Sequence, residues 1–288
     1  MASLSASLAT TSARPLRQRR AGWRYPWLLV GLLALLGLLL TALCAPLLAP
    51  YDPAAQDLNI GMSTPSLAHP LGTDQLGRDL LSRLLWAGRS SLTVVLSILA
   101  CCLLLGSSIG LVAGYVGGLT DELLMRGVDL FLALPGFLLA LALVGALGPG
   151  LFTLMLALTI TWWPTYARLV RSQTLTLRSA DYLLAAQAIG AGHGQIMRRH
   201  LTPALIGPVL VQISLDIGHL ILTIAALGFL GLGIQPPSPE WGVMLVDARP
   251  YMQVAPHLVL APGLAIFGTV LSANLVADGL EQWLNPWK

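Results

Sequence analysis

The residues of this chain that could do chemistry are few, and they sit in apolar surroundings. Asp216 and His219 lie inside the hydrophobic run from Ala204 to Leu232, three residues apart and so on one helical face. An ionisable group in such a run is costly unless it faces protein or water. The two therefore read either as lining of a polar path, able to help pass a cationic or metal-bearing solute, or as a pair that locks one helix to its neighbours. Two donors do not define a metal site, which takes three or four. A second group, Asp74, Arg78, Asp79 and Arg83, alternates acid and base at near-helical spacing beside Leu80, Leu81, Leu84 and Leu85. That pattern predicts an amphipathic helix over Gly72 to Arg89 lying along a membrane interface, with exposed and individually weak ion pairs.

Enzymatic constellations do not assemble. The only lysine is Lys288, so a Gly-Lys-Ser/Thr phosphate loop is absent, as is the HExxH helix of zinc hydrolases. No serine has a histidine partner at a shared depth, which argues against an intramembrane hydrolase. Cys44, Cys101 and Cys102 fall inside apolar runs and read as inert packing residues. His193 and His200 read as solvated loop residues, and Asp121, Glu122, Arg126 and Asp129 as a salt-bridged or solvated helical patch.

The elements that must hold these groups follow from composition. Of 288 residues, 56% are hydrophobic and 10% charged, with mean hydropathy +0.76. Soluble domains are about one-quarter charged, and disordered chains are more polar still. The fold class is therefore all-α, a polytopic membrane protein with about six transmembrane helices, since a helical span takes about 20 apolar residues. The six stretches are Trp27–Leu48, Thr93–Val116, Phe131–Leu147, Leu151–Val170, Ala204–Leu232 and Leu258–Val276. This divides the chain into a basic tail over 1–26, a first transmembrane helix over 27–48, an external loop with the interfacial helix over 49–92, and a five-helix core over 93–288. With the N-terminus inside, twelve of the sixteen Lys and Arg fall on inner segments, so both termini are expected in the cytoplasm.

The inner segment over 177–203 is far longer than the roughly four to six residues of an ordinary connection. It predicts a short helix with the small residues Ala185, Ala186 and Ala188, a break at Gly190, Gly192 and Gly194, and a second amphipathic piece ending at Pro203. Such a shape fits a plug for a groove. On the other side, Gly228, Gly231 and Gly233 read as close packing against a partner subunit, with Glu240 and Trp241 at the membrane surface.

The run of Ala185 and Ala186, Gly190 and then Pro203 resembles the EAA loop of ATP-binding-cassette importer permeases. Leu184 stands where that family often has Glu, and Gln187 where Arg is common; the helix, glycine turn and proline remain. His69–Leu92, Gly114–Pro135 and Ala225–Leu245 are similar to segments of the second permease subunit of the dipeptide, oligopeptide and nickel branch. The resemblance implies a type I importer permease fold in a bacterial inner membrane. The chain itself would be no enzyme and bind no cofactor, ATP and Mg being used by two cytoplasmic ATPase subunits. Its other partners would be a homologous permease, a periplasmic or lipid-anchored solute-binding protein and membrane lipid, with no nucleic acid. Leu184, Ala185, Ala186, Gly190, Ala191, Gly192 and Pro203 would couple to the ATPase. Asp74, Arg78, Asp79 and Arg83 would serve an external gate or the binding protein, and Asp216 and His219 the path. The solute would be a dipeptide, oligopeptide, nickel or a metallophore. The competing reading is an ion-driven secondary transporter acting alone, for which inverted repeats are expected.

Overall fold

The computed structural model describes residues 26–235 and 237–284, with the side chain of Gln187 also outside the description. The basic tail over 1–26 and Lys288 therefore lie outside the described residues, except for Pro26. Eleven α-helices are described: α1 Pro26–Leu43, α2 Ala45–Leu48, α3 Leu80–Val116, α4 Gly118–Leu132, α5 Gly136–Leu147, α6 Leu151–Arg178, α7 Asp181–Ala188, α8 His193–Ile196, α9 Thr202–Phe229, α10 Trp241–Ala248 and α11 His257–Leu284. Four helices are long and apolar enough to cross a membrane: α1, α3, α9 with the preceding α8, and α11. A fifth crossing forms if α4 and α5, bent by 78°, count as one span. At 28 residues, or about 42 Å, α6 has the length of a span, but Trp162, Trp163, Pro164 and Arg168 make its middle more polar.

Three boundaries differ from the expectation, each for a local reason. The interfacial helix does not stand alone. Residues 72–79 form a tight turn in which Thr73 bridges to Asp79, and α3 then runs unbroken from Leu80 to Val116, because nothing between Arg89 and Thr93 interrupts it. The predicted span over Phe131–Leu147 is instead the junction of α4 and α5. Pro135 lacks an N–H and biases the residue before it away from helix, so the chain turns there. A π-helical turn over Met197–Leu201 joins α8 to α9 without a break.

Backbone contact between α3 and α6 holds the centre. Gly106, Gly110 and Gly114 recur every four residues and form a stripe on α3. A β-carbon at Gly106 would lie 2.6 Å from Tyr166 Cβ, and one at Gly114 would lie 2.8 Å from Thr174 Cβ; at Gly110 it would run into the Ala167 carbonyl. Between lipid-facing helices, where apolar surface gains nothing by association, such close approach supplies the attraction through dispersion. The run Gly106-Ser107-Ser108-Ile109-Gly110 also spells the pattern of a nucleophile elbow. It sits mid-helix with Ser108 Oγ donating to Leu104 O at 2.5 Å, and so lacks the strand-to-helix turn that elbow needs. Two more glycines serve α1 and α11: Gly31 faces Leu275 and Ser272, and Gly279 faces Leu28.

The loops segregate to two ends. Residues 49–79 are tied to the start of α3, where Tyr51 N donates to Ser82 Oγ at 3.1 Å, and the segment after α9 joins them there, with Trp241 Nε1 donating to Leu84 O at 3.2 Å. We call this the cap end. The segment 181–201 packs on the opposite end of α3, where Tyr115 OH lies 2.8 Å from His193 Nδ1. We call this the elbow end. Replacing Gly110 by Leu would force α3 off α6. Overpacking of this kind costs about 1–3 kcal/mol or more, so the Gly110→Leu protein in detergent is expected to melt several degrees below the parent, with Leu105→Ala on the exposed face as a neutral control.

Candidate functional site

The cap end gathers the charges. Asp79 caps α3, accepting from Ser82 N at 2.8 Å and Ser82 Oγ at 2.7 Å, and its other oxygen lies 2.9 Å from His69 Nδ1. Asp74 holds a turn by accepting from Leu76 N at 2.9 Å and Arg78 N at 3.0 Å. Its second oxygen accepts from Arg78 Nε at 2.6 Å and lies 3.3 Å from Arg83 Nε. Both guanidinium groups also reach Asp247 of α10, at 3.7 Å and 3.6 Å.

The sequence reading brought Asp74, Arg78, Asp79 and Arg83 together correctly but made them exposed. They are buried, Asp74 to 5% exposure and Arg83 to 3%. The cause is α10, which folds back over them and supplies the balancing acid. Asp74 and the two guanidinium groups can be buried because each that loses water gains a partner, with Asp247, about one-third exposed, closing the cluster toward solvent; removing one would strand the rest. Burial pushes the Asp247 carboxyl above the ordinary range, while Arg83 and Arg78 pull it back.

Glu240 and Trp241 also differ from the expectation of a surface position: both are buried. Glu240 caps α10, accepting from Val243 N at 3.0 Å and from Ser91 Oγ at 3.3 Å, and so bridges α10 to α3. The glycines explain how it fits. A β-carbon on Gly228 would meet Glu240 Oε2 at 3.0 Å, and one on Gly242 would meet Ala225 Cα at 2.6 Å. Gly228 and Gly233 thus pack inside this chain, where a role against a partner had been expected; Pro236, the first of the prolines that follow, lies outside the described residues.

The mid-span pair separates. Asp216 is buried on the α6 side of α9, accepting from Trp162 Nε1 at 3.3 Å and Gln212 Nε2 at 3.1 Å. His219 is exposed on the outer surface and makes no hydrogen bond to Asp216. A residue three positions on is displaced about 60° around a helix, enough at this packed seam to put one side chain in and the other out. The partners Trp162 and Gln212 were not foreseen, although Gln212 stands at the i−4 spacing that favours contact.

At the elbow end, α7 buries Leu183 and Ala186 and presents Leu184 and Ala185 outward, together with Tyr182 and Ile189. Leu183 joins Ile196 and Leu201 in a small apolar cluster that rests on Leu111, Tyr115 and Leu177, with Ala191 against it. Gly190 has φ +86°, a conformation glycine adopts without strain, and Ala191 N closes the helix end on Ala186 O at 3.0 Å. Gly192 begins α8, accepting from Ile196 N at 3.0 Å, and Pro203 occupies the first turn of α9. Arg178 Nη1 donates to Tyr115 O at 3.3 Å, and Arg171 pairs with Asp121 while Arg168 pairs with Asp129. These bonds tie α6 to α3 and α4 beneath the elbow, and the Tyr115–His193 contact joins the elbow itself to α3. His193, expected to be a solvated loop residue, is exposed but bonded to Tyr115.

Burial raises the Glu240 carboxyl above the ordinary carboxylate range, opposed by the Gly242 and Val243 amides and the Ser91 hydroxyl. An acid whose pKa is raised by folding contributes stability below its unfolded pKa and loses it as pH rises through the folded value. Glu240→Gln, which mimics the protonated acid, is therefore expected to melt at or above the parent temperature at neutral pH and to flatten the fall in stability above the carboxylate range. Glu240→Ala, which leaves the Val243 amide and Ser91 without their acceptor, is expected to lose about 1–3 kcal/mol. Melting curves from acid to neutral pH check both.

Residues 106–288 match the family described as binding-protein-dependent transport system inner membrane component, and residues 24–70 match the N-terminal transmembrane domain of oligopeptide transport permease C. The nickel transport system permease protein NikC of Escherichia coli K12 is 43% identical over 263 residues, covering 91% of this chain and 93% of that protein. The di/tripeptide transport system permease protein DppC of Pseudomonas aeruginosa is 44% identical over 262 residues, covering 89% and 86%. The glutathione transport system permease protein GsiD of Pectobacterium atrosepticum is 42% identical over 294 residues, covering 98% and 96%. With its all-helical build, buried cap and anchored elbow, the chain belongs to the family of inner-membrane components of binding-protein-dependent transport systems and has the type I permease fold.

Proposed function

We propose that this chain is one of two permease halves of an ATP-driven importer, that the elbow end faces the cytoplasm, and that α7 docks into an ATPase subunit there. The observation that carries the reading is the shape of α7. One side of the helix is held to the ends of α3 and α6 through Leu183, with Ala186 buried, while Leu184, Ala185 and Ile189 stand exposed on the other and the half-exposed Tyr182 rests its ring near His200. An exposed apolar face on a rigid mount suits a protein groove, and the mount carries motion of the groove into the membrane helices.

The positive-inside balance supports the same orientation, because Arg168, Arg171, Arg178, Arg198 and Arg199 all lie toward the elbow. Both termini are then cytoplasmic, and the cap faces the solute-binding protein. Nucleotide state would bias two packings of similar free energy, as any ligand with different affinity for two states must. ATP and Mg belong to the partner.

Two substitutions in the elbow test this. Gly190→Val strains a positive-φ position, and Leu184→Asp places a charge in the docking face. Each is expected to reduce co-purification of the ATPase subunits and solute uptake by about tenfold or more, about 1.4 kcal/mol, with membrane insertion and permease pairing intact. Uptake by this chain alone on a proton gradient, unaffected by either substitution, would overturn the reading.

For the solute, the relatives named for nickel, for di/tripeptides and for glutathione stand at nearly equal identity. We propose that His219, exposed one turn beyond the buried Asp216, lines the path between the two permeases, while Asp216 ties α9 to α6 through Trp162. His219→Ala is expected to change the competition between short peptides and nickel chelates for uptake, while Asp216→Asn mainly lowers the melting temperature. If uptake and competition are unchanged in His219→Ala, the histidine is a packing residue.

A further inference from the structure

Below the seam at Asp216, α9 diverges from α3 and α6 and leaves an apolar groove toward the elbow end. It has a volume of about 410 Å³ and is lined mainly by Leu103, Leu104 and Leu111 of α3 and Leu205, Ile206 and Leu210 of α9. The lining on α9 extends from Thr202 to Ile213. At 1.5 Å per residue that is about 17 Å, close to the roughly 15 Å depth of one leaflet of a bilayer's hydrocarbon core. Leu205 and Val209 form a buried floor, while Leu104, Ile206 and Leu210 stand exposed along the edges. A trough of this depth, apolar and open at the side of a membrane helix, has the form of a seat for an acyl chain.

The charge at its mouth narrows the choice of lipid. The π turn carries Arg198 and Arg199, and because it continues directly into α9, Arg198 stands one helical turn before Thr202, the first lining residue. Both arginines are exposed, and neither has an ion pair among the described residues. They differ in this from Arg168 and Arg171 at the same end, which are matched to Asp129 and Asp121. Two adjacent uncompensated guanidinium groups at headgroup depth, above a leaflet-deep apolar trough, complement an anionic phosphate joined to an acyl chain.

We infer that the groove between α3 and α9 binds an anionic phospholipid of the inner leaflet, its chain along Leu205, Ile206 and Leu210 and its phosphate on Arg198 and Arg199. The inference rests on the elbow end being cytoplasmic. It assigns the π turn a role separate from that of α7: α7 meets the ATPase, and the π turn meets the membrane. Lipid in the groove would wedge α9 away from α3, so the annular lipid becomes a ligand of one packing of the helices.

The assembled transporter, reconstituted in nanodiscs and then washed in mild detergent, provides the test. Retained lipid is measured by native mass spectrometry after reconstitution in phosphatidylcholine alone or mixed with phosphatidylglycerol. The parent is expected to retain phosphatidylglycerol in preference to phosphatidylcholine. The double variant Arg198→Gln, Arg199→Gln should weaken phosphatidylglycerol retention by about thirtyfold, from about 1 kcal/mol for each basic residue near an anionic surface, and leave phosphatidylcholine unchanged. Ile206→Trp, which fills the groove without touching the charges, should reduce both lipids. Equal retention of the two lipids by the parent would overturn the inference. So would loss of ATPase co-purification in the double variant with lipid retention unchanged, since the arginines would then belong to the protein interface, and so would a photo-crosslinker at Leu210 that captures the other permease and not lipid. Because lipid retention and ATPase co-purification are read separately, loss of α7 docking in Leu184→Asp with lipid preference kept would leave the groove in place.

Discussion

The contact on which the rest of the molecule depends is backbone against backbone, between α3 and α6. Lipid tails are as apolar as leucine, so hydrophobic burial cannot hold two membrane helices together, and close approach must. Gly106, Gly110 and Gly114 permit it by omitting a side chain on each successive turn. Everything at either end is fastened to this pair. The cap begins at Asp79 and Ser82 on the first turn of α3, and the elbow rests on Leu111 and Tyr115 at its last turns. Asp216 binds α9 to the same pair through Trp162.

Polar groups follow the rule that whatever leaves water must find partners. At the cap, Asp74, Arg78 and Arg83 are buried together under a half-buried Asp247 from a distant segment, and another acid, Glu240, closes a helix end against Ser91. At mid-membrane one carboxylate is met by an indole and an amide. At the elbow two ion pairs, Arg168–Asp129 and Arg171–Asp121, cross between helices and remain wetter, while Arg198 and Arg199 are exposed. The gradient from dry and matched to wet and partly unmatched runs from one end of α3 to the other.

Much of this was legible in the residues. Long apolar runs gave most of the helices, and Ala185, Ala186, Gly190 and Pro203 gave the elbow, because glycine and proline act locally. Burial of the Asp74 and Arg83 cluster was not legible, since it depends on α10, which lies about 160 residues farther along the chain. For the same reason Asp216 and His219, neighbours in sequence, were read together although the packing of α6 divides them. The four-residue spacing of the α3 glycines was a signal available in the sequence; it points to a close helix contact but does not name the helix on the other side.

One feature carries farther than its local contacts. From Leu80 to Val116 the chain is a single unbroken rod of 37 residues, about 55 Å long, with the cap fastened to one tip and the elbow to the other. A rod of that length rocked about its midpoint moves each tip by about half an ångström per degree, in opposite directions. A push on the elbow therefore reaches the far side of the bilayer as a displacement of the cap, with no intervening joint to absorb the stroke.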